Sequence, residues 1–287
     1  MSKNLEDADI SWIENLIHSY IDTSPQNTLG GSEIEKAFDT PLVGFCRGDD
    51  PLFAEYKSVI GSFHRTPPEV FNSVYPDADA AASDLAVITW ILPQTEKTKR
   101  DNRSQDLYPA ERWARGRMFG EQTNNGLRRY VVDALLSRGI PGVAPVLTPG
   151  FESKLYPGCG WASTWSERHA AFAAGLGTFG LCDGLITPLG KAMRVGSVVA
   201  RMRVAAGRRP YSDRHAYCLF LTGRGCGECI RRCPAGALGP GGHDKDKCRA
   251  HTFKVCGPYI EEQYGFEGHG CGLCQTGVPC ESGIPVA

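Results

Sequence analysis

The chain has 287 residues, 41% of them hydrophobic and 22% charged, enough for a sizeable core and for one or two domains at about 150 residues each. Lys and Arg number 31 against 32 Asp and Glu, a formal net charge of -1, which excludes a surface that grips nucleic acid over its whole extent but leaves room for a local basic patch. No apolar run approaches the roughly 18 residues of a membrane span, and the start, MSKNLEDADI, lacks the basic and apolar stretches of a secretory signal, so a cytoplasmic protein without a membrane anchor is expected.

In chain order, Trp12, Ile13, Leu16, Ile17, Tyr20 and Ile21 recur at helical spacing and predict a helix over 9–22 with Asp9 as its N-cap. The run AVITWIL at 86–92, closed by Pro93, reads as a buried strand. EKTKRDNRSQD at 96–106 reads as a charged, solvated loop. GLRRYVVDALLSRGI at 126–140 predicts an amphipathic helix ending at Gly139, and VAPVL at 143–147 a second strand. Ser166 to Ala174 predicts a helix stopped by Gly175, and GSVVARMRV at 196–204 another strand. Strands alternating with helices point to an α/β sandwich.

Of twelve cysteines, nine fall between Cys218 and Cys280, a stretch also dense in Gly and Pro. Where disulfides are rare, such a loop-rich segment is held by metal. The expected division is an α/β domain over 1–210 and a ferredoxin-like metal domain over 211–287. CGECIRRCP at 226–234 carries the last three cysteines and the proline of the bacterial ferredoxin run; Gly223 stands at the first position, and Cys218 is its substitute. Two [4Fe-4S] clusters need eight thiolates. By the ferredoxin crossover, Cys218, Cys226, Cys229 and Cys280 hold one, while Cys233, Cys271 and Cys274 hold the other with Cys248 or Cys256, Cys248 being preferred. Zinc fits less well. The pairs of a zinc ribbon lie about 15–20 residues apart, whereas 41 residues separate Cys229 from Cys271. Cys159 and Cys182 read as small buried apolar groups.

GLGTFG at 175–180 matches the dinucleotide fingerprint literally, but a helix precedes it and a strand follows, the reverse of the order that motif requires. Its glycines serve close approach, to a neighbouring strand or to a flat cofactor. Asp213-Arg214-His215 begins like a cobalt-ligating D-x-H motif and then departs from it, so it reads as a loop entering the cysteine segment.

ERHAAFAAGLGTFG at 167–180, GSVV at 196–199 and the CGECIRRCPAGAL module together resemble the superfamily of epoxyqueuosine reductases and reductive dehalogenases, over most of the chain from about Trp90 onward. RWARGRMFGEQTNNGLRRYV at 112–131 resembles its substrate-side helix region. The resemblance implies a nitroreductase-like α/β domain followed by a ferredoxin-like double-cluster module. It also implies a cobalamin held without a histidine on cobalt, against Gly175, Gly177, Thr178 and Gly180. Electrons would pass from the clusters to a Co(I) corrin that reduces the substrate. The family's proton-donating aspartate is missing between Phe151 and Cys182, which leaves Tyr156 beside Arg168 as the candidate catalytic pair; Glu167 and His169 are candidates with equally good structural uses. The near-balanced charge, and a chain ending soon after the last cysteine, favour a small-molecule substrate over tRNA, with reduced ferredoxin or flavodoxin as electron donor. The readings from other classes are an electron-transfer protein and a corrinoid-binding or reactivating protein.

Overall fold

The structure, a computed structural model, describes residues 3–4, 7–31, 35–157, 160–205 and 207–286. Its centre is a four-stranded antiparallel sheet in the order Leu42–Arg47, Ala86–Pro93, Met193–Ala200, Gly142–Val143. Every residue of Ala86–Pro93 is buried. The reason is two-sided packing. Val87 and Ile91 face one core with Phe53, Phe71, Trp165 and Phe172. Ile88, Trp90 and Leu92 face the other with Ile13, Ile17, Ile21, Leu127 and Val131. Strand alternation sends neighbours to opposite faces, and a sheet covered on both faces reads as a continuous apolar run.

One face is covered by helices Asp7–Thr23 and Glu111–Ser137, the other by Pro51–Val59, Pro67–Asn72 and Glu167–Ala173. The first helix begins at Asp7, so Asp9 lies inside it. The long helix starts fifteen residues before the predicted 126 and ends before Arg138, with Gly139 in the left-handed region (φ 73°). It approaches the sheet closely: a Cβ on Gly196 would stand 2.5 Å from both Asn124 Oδ1 and Trp90 Nε1. Those two atoms hydrogen bond at 2.9 Å, and Asn124 Nδ2 donates to the Val195 carbonyl at 3.0 Å. The predicted strand at 143–147 shrinks to Gly142–Val143, because Pro145 turns the chain into a 3-10 turn.

The stretch read as a charged loop is a helix, Glu96–Arg103, capped by Thr95 Oγ1. Its polar face is buried under the cysteine-rich segment. Asn102 donates to Thr276 Oγ1 at 3.0 Å, Lys99 to Ser282 Oγ at 2.9 Å, and Arg103 pairs with the buried carboxylate of Glu281. A helix whose dry face is polar leaves no hydrophobic periodicity to read. The cysteine-rich segment itself has little regular structure beyond Lys245–Ala250 and Cys256–Tyr264. The chain mixes helix and sheet, and among the described residues no helix is long and apolar enough to cross a membrane.

Candidate metal centres and the cavity between them

Two groups of thiols meet where the cysteine-rich segment docks on the α/β core. The first lines a small pocket: Cys218, Cys226, Cys229 and Cys280. Cys226 and Cys229 flank Gly227, whose φ of 135° lets the chain turn directly into the short helix Glu228–Arg231. Cys280 is brought in from 51 positions beyond Cys229 by backbone pairing: Lys191 N donates to its carbonyl at 2.9 Å, and Ala192 N to the Glu281 carbonyl at 3.2 Å. Arg232 Nε donates to the Thr276 carbonyl at 3.1 Å and fixes the turn before it.

The second group borders a cavity of about 270 Å³. Cys233, Cys248, Cys271 and Cys274 line it from the C-terminal segment, and Gln94, Trp113, Arg117, Arg168, Met193 and Arg194 from the α/β core. Gly272, with φ 72°, seats the Cys271–Cys274 turn on Trp113 so tightly that a Cβ would stand 1.9 Å from the ring. Cys256 does not border the cavity. It is fully buried beside Cys271 and His251, their ligand atoms within 4.8 Å of one another. The hydrogen bond from Cys256 holds the Cys271 thiol below the usual thiol range. His251 Nε2 contacts the Leu107 carbonyl at 3.1 Å. Cys248 borders the common space, whereas Cys256 forms a candidate ligand group of its own with His251 and Cys271.

Cys182 corrects one sequence reading. It is buried, but not as an apolar group: Lys191 Nζ stands 3.4 Å from its sulfur, and its thiol also bonds to Cys274. Cys46 does behave as a small apolar residue, in the core with burial pushing its thiol up. Cys159 lies outside the described residues.

The structure separates the candidate catalytic pair. Tyr156 stacks on Phe63 at 3.5 Å, with its hydroxyl 3.4 Å from Glu152, and does not border the cavity. Arg168 does, its Nη1 donating to the Asp183 carbonyl at 2.6 Å. Neighbouring helix positions point apart, and Glu167 turns inward to Arg128 (3.0 Å) and Ser197. His169 packs on Tyr56 with Nδ1 2.8 Å from Ser166 Oγ, and burial pushes it down to about 3. The glycine turn expected to meet the corrin packs the Cβ side of its glycines on neighbouring backbone. A Cβ on Gly177 would meet the Ile186 carbonyl at 2.3 Å, and one on Gly175 the Arg208 carbonyl at 2.7 Å. Thr178 is fully buried and accepts from Tyr217 N at 3.0 Å. Gly180 borders the first thiol pocket. These glycines serve close approach to neighbouring backbone. His215 of the D-x-H string bonds to the Phe179 carbonyl at 3.0 Å, as a loop residue.

Of the cavity's charged groups the sequence reading named Arg168 and missed the others. Asp183, at φ 56°, sets its carboxylate 3.0 Å from His243 Nδ1, and this pairing, with Cys248 behind it, holds His243 up to about 10. Arg117 lies in the stretch 112–131 that resembles the substrate-side helix region but was not singled out, and Arg194 and Gln94 carry no motif that would have found them.

No family model matches the chain. In fold, it is similar to a selenomethionine-labelled epoxyqueuosine reductase (TM-score 0.51, 17% identity, 97% of this chain and 68% of that one). It is also similar to a reductive dehalogenase whose structure suggests a mechanism for B12-dependent dehalogenation (TM-score 0.50, 14% identity, 96% and 37%). The fold is therefore the one these two groups of proteins share. In sequence, the likeness falls to the first of them: the chain is 31% identical over 125 residues to an epoxyqueuosine reductase of Bacillus cereus, a stretch covering 42% of this chain and 30% of that protein. The chain thus matches less than a third of the length of that curated relative.

Proposed function

We propose that this chain is a reductase that holds two [4Fe-4S] clusters and a cobalamin and acts on a small molecule. The observation that carries this reading is the convergence of thiols. Cys280 lies with Cys218, Cys226 and Cys229 in one pocket, and Cys233, Cys248, Cys271 and Cys274 border one cavity. Soft, anionic thiolates in sets of four suit iron–sulfur clusters. The fold likeness to a B12-dependent dehalogenase supports the corrin.

Clusters and corrin would supply single-electron relay and strongly reducing chemistry, and the protein binding and orientation. Trp113 and Met193 give the cavity apolar wall, Arg168 is held in place by the Asp183 carbonyl, and the Asp183 carboxylate beside His243 favours its protonated form. Cys226 is exposed, with Arg224 and Arg231 exposed on either side of it. This suits an acidic electron donor such as reduced ferredoxin or flavodoxin.

A tRNA substrate is the second reading, favoured by the sequence likeness to a protein named as an epoxyqueuosine reductase. Anaerobically reconstituted protein tests both. About eight irons and eight sulfides per chain with one bound corrin are expected, together with weak, salt-insensitive binding of bulk tRNA. Zinc in place of iron would overturn the cluster reading. Clusters without corrin uptake would leave an electron carrier. Turnover of an epoxyqueuosine stem-loop would replace the small molecule with tRNA.

A further inference from the structure

We infer that Arg117, Arg168 and Arg194, with Gln94, form an anion subsite in the cavity, which takes the carboxylate or comparable oxyanion of the substrate. The inference rests on the small-molecule reading above and narrows it to a class.

The argument starts from charge. Four guanidinium groups, those of Arg117, Arg128, Arg168 and Arg194, lie close enough to act on Arg194 or to include it, and two carboxylates answer them. Glu167 is taken by Arg128 at 3.0 Å, and Glu121 is shared between Arg128 at 2.9 Å and Arg194 at 3.5 Å. Arg128 is thereby satisfied and faces inward. The three left bordering the cavity are Arg117, Arg168 and Arg194. Among the described residues the Arg117 guanidinium has no hydrogen bond or ion pair of its own. Arg194 spends Nη2 on the Arg117 carbonyl at 3.1 Å, and its buried Nε has no partner. Asp183 offers Arg168 only its carbonyl, because its carboxylate is paired with His243.

Like charges gathered in a partly desolvated space are costly unless an anion joins them. Gln94 borders the cavity and is 3% exposed, with its Oε1 unpartnered; turned about, the amide sets its Nε2 donor where an oxyanion can accept from it. Lys191 stands against Cys182, Cys274, Cys229 and Cys280; the thiols that share the cavity with the three guanidiniums, Cys233, Cys248 and Cys271 among them, offset part of that charge, and a substrate oxyanion answers the guanidiniums left without partners. A guanidinium fork matches a carboxylate bidentately, and Trp113 and Met193 offer apolar surface to the rest of the molecule.

The test uses reconstituted, corrin-loaded protein and two probes of the same shape, benzoate and benzamide, titrated by calorimetry. Benzoate is expected to bind at least tenfold more tightly than benzamide. Arg117→Met should lose at least tenfold for benzoate and leave benzamide unchanged, with Arg117→Lys recovering part of the loss. Arg168→Gln serves as the second variant if Arg117→Met does not fold. Equal binding of the two probes, or benzoate binding indifferent to both substitutions, overturns the inference. The cofactor's own phosphodiester is the rival anion. If Arg117→Met weakens uptake of cobalamin but not of cobinamide, which lacks that phosphate, the guanidiniums belong to the cofactor and the inference falls. Iron and corrin contents measured on the same samples separate either failure from failure of the cofactor reading.

Discussion

The ammonium of Lys191 lies 3.4 Å from the sulfur of Cys182, and both residues are more than nine-tenths buried. Lys191 also borders the pocket of Cys218, Cys226, Cys229 and Cys280, while Cys182 borders the cavity of Cys233, Cys248, Cys271 and Cys274. One buried cation thus stands between the two thiol sets. Burying an ammonium is expensive unless anions face it, and nearby thiolates raise its affinity for the proton.

That placement predicts a redox effect. A unit charge at about 8 Å and an effective dielectric constant near 20 is worth about 2 kcal/mol, on the order of 90 mV for a one-electron couple. Lys191→Met should therefore lower the midpoint potential of at least one cluster by roughly 50–100 mV, and Lys191→Arg should hold it near wild type. EPR-monitored titration is the check, and unchanged potentials in a fully loaded Lys191→Met protein would refute the assignment.

The cysteine sets predict different iron losses. Cys280→Ser should remove the cluster of Cys226 and leave about four irons per chain, despite the sequence distance between the two residues. Cys248→Ser should do the same for the other cluster. Cys256→Ser should keep about eight irons, since Cys248 and not Cys256 borders the cavity shared with Cys233, Cys271 and Cys274. Iron loss on Cys256→Ser with retention on Cys248→Ser would reverse the choice of eighth ligand.

Gly272 makes a prediction that does not depend on the choice of eighth ligand. With φ 72° and a Cβ position 1.9 Å from Trp113, Gly272→Ala must move either the ring or the Cys271–Cys274 turn. The expected result is loss of the second cluster with the first intact, seen as half the iron and one remaining EPR signal.

Two buried histidines set an acid limit. His64 is 1% exposed with neither ring nitrogen bonded, and burial pushes it from 6.5 down to about 4. His169 falls to about 3 for the same reason. The unfolded chain binds these protons more readily, so the stability they contribute is full above pH 6.5 and is lost as the pH falls toward those values. Thermal melts should show the midpoint dropping between pH 7 and 5. His64→Leu should flatten part of that slope, and an identical slope in the variant would rule His64 out as its source.

The amino-acid sequence by itself determined the parts whose signal is local. Ala86–Pro93 is legible because a strand covered on both faces must be apolar throughout, and Ile13, Ile17 and Ile21 because one helical stripe must be dry. The helix ending at Gly175 and the C-x2-C spacings belong to the same class, since turns and ligand bites are decided within a few residues.

Only the tertiary structure decided the rest. Glu96–Arg103 hides its helix because the face it buries is polar, its partners lying some 175 residues away in Thr276, Glu281 and Ser282. Tyr156 and Arg168 are near in sequence, yet only Arg168 borders the cavity. Lys191, Cys182, Arg194 and Gln94 carry no motif and, with Arg117, become a site only where distant segments meet. Hydrophobic periodicity records which side of an element is dry; it holds no record of which charged or thiol group will stand opposite once the chain has closed.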